Sequence, residues 1–67
     1  MYEKLKEVLN DSIVWAKSWS SIPSDVKWMI VGRVGAFRDI IEVTPNLSTD
    51  QLVELRKLSN ELAEFAM

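Results

Sequence analysis

Apolar and polar residues alternate with helical spacing in three segments of about 20 residues, and two short breaks separate these segments. The breaks are residues 20–24 (Ser-Ser-Ile-Pro-Ser) and residues 44–48 (Thr-Pro-Asn-Leu-Ser). Each contains a proline, whose ring disfavours a helical conformation in the residue before it. We therefore predict helices at about residues 2–20, 25–43 and 49–65, joined by two short proline-containing turns.

The first and third segments each carry one apolar face, as helices that cover a core do. The third also has a clear start, because Ser48 and Gln51 have the spacing of a capping box and Leu47 and Leu52 that of a hydrophobic staple. Together the three helices predict an all-α three-helix bundle. Its predicted core is Leu5, Leu9, Ala16, Trp19, Ile30, Val34, Phe37, Ile41, Leu55, Leu58, Leu62 and Phe65.

The middle segment carries a second, unusual face. Val26 lies on the same face as the four predicted core residues of this segment, because each helical residue is rotated by about 100° from the one before it. Away from it lies a group that we call the Trp28 face, which consists of Trp28, Val31, Gly32, Gly35 and Asp39. Two glycines inside a helix cost roughly 1 kcal/mol each relative to alanine. We expect these glycines to have a role that offsets this cost, since a glycine lets another backbone approach the helix closely.

Two interpretations of the Trp28 face remain open at this stage. It packs against another helix of the same chain, or it docks a partner helix or a second copy of the chain. If it docks a partner, Gly32→Leu abolishes association and leaves helicity nearly intact. A different reading of residues 28–37 is a β-hairpin that turns at Gly32-Arg33, although the strand alternation there is poor.

Three other residues invite a functional reading. Arg33 falls within the apolar face of the middle helix, where it extends its guanidinium past the core edge to water, pairs with Asp11 or Glu61, or contacts a ligand. Trp15 and Trp19 lie one turn apart on the first helix. Such a pair fills a core or, with basic residues alongside, forms a stacking surface for bases.

The stretch Ile30-Val31-Gly32-Arg33-Val34-Gly35, with the following Ala36 to Glu42, resembles the core motif of K-homology RNA-binding domains. The resemblance implies a G-x-x-G loop between two helices, in which Gly32 and Gly35 clamp a nucleic-acid backbone and Arg33 contacts a phosphate. It covers about 13 of the 67 residues. The sequence departs from the family pattern, because we predict neither a strand before the motif nor a pair of strands after it.

Composition narrows the function classes. The chain has no cysteine and no histidine, which excludes zinc fingers, disulfide frameworks, thiol redox centres and histidine-based catalysis. We expect no metal ion and no cofactor. No pair of carboxylates falls on an apolar face, where burial would shift a pKa for acid–base chemistry. We therefore predict that the protein is not an enzyme and has no small-molecule substrate.

Length and charge complete the prediction. The 67 residues support a single helical domain, residues 1–67, and a chain this short is marginal as a monomer, so a homodimer is considered. Eight basic and ten acidic residues give a net charge of −2. No targeting segment is visible, and no apolar run reaches the about 20 residues of a membrane span. We expect a small acidic cytoplasmic protein with no membrane partner.

The predicted function is non-catalytic protein–protein interaction through the Trp28 face. The protein is expected to be an adaptor, inhibitor or accessory subunit that regulates a larger protein, and its partner is another protein or a second copy of itself. The alternative is a nucleic-acid-binding accessory protein that uses Lys27, Arg33 and Arg38. Nucleic acid is the less favoured partner, because the eight basic residues are dispersed among ten acidic ones.

Overall fold

The computed structural model describes every residue from Met1 to Met67 and contains three α-helices and no strands. The helices are α1 (Tyr2–Lys17), α2 (Ser24–Val43) and α3 (Thr49–Glu64). The predicted all-α three-helix bundle is therefore confirmed. Both connections contain a proline, as expected from the two breaks in the pattern.

The middle helix is continuous through its two glycines. Gly32 and Gly35 are helical, and neither has a positive φ. The predicted alternative of a β-hairpin is therefore wrong, and so is the loop that the K-homology resemblance implied at the G-x-x-G positions. The regular burial of the apolar face from Val26 to Ile41 explains this outcome, because it stabilises one unbroken helix.

The start of α3 follows the predicted capping box. The Ser48 hydroxyl accepts a hydrogen bond from the Gln51 backbone N–H at 3.1 Å, and the Gln51 side chain accepts one from the Ser48 backbone N–H at 3.1 Å. Asn46 reverses the chain just before this point with a φ of 66°, a left-handed conformation that asparagine tolerates better than most residues. Leu47 and Leu52, the predicted staple, are both half-buried.

The core lies where α3 packs against both other helices, whereas α1 and α2 approach each other less closely. Its eleven buried apolar residues are Leu5, Leu9, Ile13, Ala16, Val26, Ile30, Val34, Phe37, Ile41, Leu55 and Leu62. The predicted core included neither Ile13 nor Val26. Leu58 and Phe65 are half-buried at its edge.

Trp19 is the clear error in the predicted core. It is 39% exposed, because α1 ends at Lys17 and the chain leaves the helix before Trp19 can continue the apolar face. The Ser18 hydroxyl donates a hydrogen bond to the Trp15 carbonyl at this helix end. Trp15, in contrast, is half-buried and packs against the core.

Candidate interaction surface

The Trp28 face lies on the side of α2 that points away from the core. All five of its residues are exposed. Trp28 keeps 74% of its surface and Val31 keeps 48%. The interpretation in which this face packs against another helix of the same chain is therefore wrong, and the face is open to solvent along α2.

The glycines of the Trp28 face leave free space above the helix. A Cβ atom added at Gly32 or at Gly35 would meet no atom within 4 Å. No part of the chain therefore uses the close approach that these glycines permit. Gly32 and Gly35 form a short, flat strip of exposed backbone on α2, which a second helix could approach more closely than it could approach larger side chains.

Apolar side chains extend the Trp28 face around α2. Met29 is 53% exposed and Val43 is 79% exposed, and Ala36 lies between them on the same side of the helix. A surface helix normally covers the core with one face and presents charged residues on the other. The outward side of α2 breaks this rule between Trp28 and Ala36, where its exposed residues carry no charge, although Asp25, Asp39 and Glu42 follow the rule nearer the two ends.

A groove continues the Trp28 face onto the end of α3. It has a volume of about 430 Å³, and a neighbouring hollow of about 280 Å³ joins it at Val31 and Ala66. The residues that line the two are Ser24, Lys27, Trp28, Val31, Val34, Gly35, Arg38, Ala63, Ala66 and Met67. The contribution of α3 was not predicted from the sequence. The signal for it was Ala63, Phe65, Ala66 and Met67, which follow Leu62.

Arg33 finds its partners on α1, and neither of them is a carboxylate. Its guanidinium lies 4.9 Å from the centre of the Trp15 ring and donates a long hydrogen bond, 3.4 Å, to the Ser12 hydroxyl. A cation over an aromatic ring is attracted to the electron-rich face of the ring. The predicted pairing with Asp11 or Glu61 is therefore wrong, and the guanidinium closes the edge between α1 and α2.

The three basic residues of the alternative nucleic-acid prediction do not share a surface. Arg38 donates a hydrogen bond to the Asn60 side-chain carbonyl on α3 at 3.0 Å, and Lys27 lines the hollow on that same side of α2. Arg33 faces α1 on the opposite side. Binding to a phosphate backbone needs clustered cations, so this arrangement does not favour the alternative.

The polar cluster with the clearest pKa shifts joins α1 to α3. The Tyr2 hydroxyl donates a hydrogen bond to the Glu54 carboxylate, and the Lys6 ammonium lies 3.0 Å from the same group. These hydrogen bonds lower the pKa of Glu54 and raise the pKa values of Tyr2 and Lys6. A lysine or tyrosine that acts as a base needs a lowered pKa. The shifts are opposite to that, so the cluster acts as an ionic contact between helices.

The fold and this surface define a small helical bundle with one uncovered apolar helix face. No protein-family model, curated protein or solved structure matches the chain. No group of three acidic side chains converges in a way that could hold a metal ion. None of the three helices combines the length and the apolar character that crossing a membrane requires.

Proposed function

We propose that the protein is a non-catalytic interaction module that docks a partner's helix on the Trp28 face. One observation carries this proposal: Trp28 and Val31 stand exposed beside two glycines above which there is free space. Tryptophan is among the residues that most often dominate binding energy at protein interfaces. The flat strip beside it supports a close helix–helix contact.

Burial of Trp28 favours such a contact, and the lost freedom of the two partners opposes it. Burying the exposed three-quarters of the Trp28 side chain contributes roughly 3–4 kcal/mol at about 25 cal/mol per Å² of apolar surface. Packed helices lie about 8–10 Å apart, depending on the side chains at the contact. Gly32 and Gly35 favour the short end of that range, at which more backbone and side-chain atoms meet.

This activity suits an adaptor, an inhibitor or an accessory subunit, each of which acts by binding a larger protein. It needs no catalytic group, and the shifted pKa values of the cluster around Glu54 do not point to one. Nucleic-acid binding is the weaker proposal, because Arg33 lies on the opposite side of α2 from Lys27 and Arg38.

Site-directed photo-crosslinking tests the proposal. A photoreactive phenylalanine analogue replaces Met29, which is exposed beside the Trp28 face, in one variant and Asn10, which is exposed on α1, in another. In cells that produce the protein, we expect a discrete protein adduct from position 29 and none from position 10. Adding Gly32→Leu removes the adduct, because the leucine side chain separates the helices. The matched change Asn10→Leu leaves the adduct intact.

Two results would contradict the proposal. One is the absence of any adduct from position 29. The other is an adduct that survives Gly32→Leu unchanged. Circular dichroism serves as the folding control, and we expect the helical signal of Gly32→Leu to match that of the unmodified chain. This expectation follows from the free space above Gly32.

A further inference from the structure

Four residues of the Trp28 face have the spacing of a coiled-coil contact. Trp28, Gly32, Gly35 and Asp39 follow one another at intervals of four, three and four residues. This is the alternation of the d and a positions of a heptad, through which two helices interlock along a shared edge. Gly32 and Asp39 take the a position, and Trp28 and Gly35 take the d position. This spacing lets a second helix pack along the face, as it does on the buried side of α2, where Ile30, Val34, Phe37 and Ile41 share it.

Four residues in the order d, a, d, a are always symmetric about their midpoint, so an antiparallel copy of α2 pairs these four residues with one another. The midpoint of Gly32 and Gly35 falls between residues 33 and 34, and the midpoint of Trp28 and Asp39 falls at the same place. In an antiparallel helix pair, each a position lies opposite a d position. When Gly32 lies opposite Gly35 of a second copy, Trp28 therefore lies opposite Asp39 of that copy. Because the contact is two-fold symmetric, the Gly32–Gly35 layer and the Trp28–Asp39 layer each occur twice.

From the residues that this register pairs, glycine with glycine and tryptophan with a carboxylate, we infer that the partner on the Trp28 face is a second copy of the chain, with the two α2 helices packed antiparallel. The inference rests on the proposed function and names its partner. The product is a homodimer whose central contact is the glycine strip. Trp28 of each copy reaches Asp39 of the other at the two ends of that strip.

The chemistry of Trp28 and Asp39, the outer two of the four residues, supports this antiparallel register. A buried tryptophan needs an acceptor for its indole N–H, and a carboxylate is a strong one. Within the chain, neither the Trp28 indole nor the Asp39 carboxylate makes a hydrogen bond or an ion pair. The Trp28 indole N–H of one copy can therefore donate a hydrogen bond to the Asp39 carboxylate of the other.

A parallel dimer fits the same residues less well. It would place each residue opposite its own copy, so that Asp39 faces Asp39 and Trp28 faces Trp28. The two carboxylates would repel each other inside the contact, and the two indoles would have no acceptor. The antiparallel register also sets the apolar edge formed by Met29, Ala36 and Val43 against the same edge of the second copy. That arrangement covers the exposed side chains of Met29 and Val43.

The antiparallel register has one unfavourable layer at each end. Asp25 and Glu42 continue the heptad spacing outwards, so Asp25 of one copy lies opposite Glu42 of the other. Both residues are exposed, and solvent and salt screen their repulsion. These layers confine the tight contact to the middle of α2. A charge reversal in these layers, Glu42→Lys, should strengthen the dimer only in this register.

Sedimentation of the purified full chain, from micromolar to millimolar concentration, tests the inference. We expect a monomer–dimer equilibrium. Gly32→Leu weakens it by roughly tenfold or more, because it holds the backbones apart. Asn10→Leu, which adds the same side chain on the exposed face of α1, leaves the equilibrium unchanged.

A charge reversal tests the register itself. Glu42→Lys places a cation opposite Asp25 of the second copy in both end layers. We expect it to tighten the dimer by about tenfold, because two exposed ion pairs form at once and each is worth about threefold. Glu61→Lys makes the same change in net charge on an exposed part of α3 and has a smaller effect. An unfolded variant cannot mimic a tighter dimer.

Each remaining outcome overturns part of the inference. A strict monomer up to millimolar concentration excludes the second copy as the partner. In that case an adduct of a different mass in the crosslinking experiment preserves the proposed function, and no adduct removes both. A dimer that Glu42→Lys weakens is not antiparallel in this register. A dimer that Gly32→Leu leaves unchanged uses another surface.

Discussion

Gly32 and Gly35 lie in a regular helix, and nothing in their backbone conformation requires glycine. Neither has a positive φ, and a side chain at either position would meet no neighbour. Alanine in their place would lose less conformational entropy on folding. The monomer alone therefore gives no reason for glycine at these positions, and a close contact with another helix does.

The free space at Gly35 leads to a prediction about the stability of the monomer. We expect Gly35→Ala to stabilise the monomer by about 1 kcal/mol through helix propensity, which raises Tm by about 4–8 °C in a domain of this size. Thermal and denaturant unfolding at low protein concentration measure it, because association would otherwise add to the stability.

The reverse change at the next residue is the control for Gly35→Ala. Ala36 is exposed in the same helical turn, and Ala36→Gly should lower the stability of the monomer by a similar amount. If Gly35→Ala instead destabilised the dilute monomer, the glycine would have a role within the chain, and the argument for an external contact would fail.

Element boundaries show which part of the fold the sequence could predict. The start of α3 was predictable because Ser48 and Gln51 satisfy each other's backbone donors locally. The end of α1 was not, since Trp19 continues the apolar spacing beyond the point where the helix ends at Lys17. Spacing reports which residues share a face while the helix lasts, and it does not report where the backbone leaves the helix.

The capping box at α3 gives a prediction at the scale of one element. Ser48→Ala removes the acceptor for the Gln51 backbone N–H and should lower the free energy of unfolding by about 1 kcal/mol. Denaturant titration followed by circular dichroism measures this change. Thr49→Ala, one residue further on and outside the capping box, is the matched control. Equal losses in the two variants would show that the box does not stabilise α3.

The candidate interaction surface was also predictable only in part. The α2 residues of the Trp28 face could be found because their angular position places them away from the apolar stripe. Ala66 and Met67 of the neighbouring groove could not be found in this way. Which helix ends lie side by side depends on how three helices are arranged around one core. Arg33 shows the same limit, because its angle was correct and its contact, Trp15, was not predicted.

At the scale of the whole molecule, α3 holds the bundle together. It packs against both α1 and α2, which approach each other less closely, and the bundle is 37 Å long and 17 by 15 Å across. The outward side of α2 is therefore free to bind without disturbing the contact between α1 and α3. That contact includes the cluster of Tyr2, Lys6 and Glu54, and the cluster gives the molecule a defined dependence on pH.

The direction of this pH dependence follows from the shifted pKa values. Hydrogen bonds from Tyr2 and Lys6 lower the pKa of Glu54. Its contribution to stability is therefore complete above the unfolded pKa of about 4 and is lost as the pH falls through the lower folded value. Hydrogen bonds to Glu54 raise the pKa values of Tyr2 and Lys6. Their contribution is complete below about pH 10 and is lost as the pH rises through the higher folded values.

We therefore expect Glu54→Gln to lower Tm at neutral pH, and the difference from the unmodified chain to shrink in strong acid and in strong alkali. Thermal unfolding across the pH range measures it. Added salt should also reduce the difference, because the Lys6 and Glu54 side chains remain 40% and 43% exposed. Glu61→Gln, at an exposed position with no ion pair, is the control and should change Tm little. A Tm difference that stays constant from acid to alkali would show that packing, and not charge, links α1 to α3 at this point.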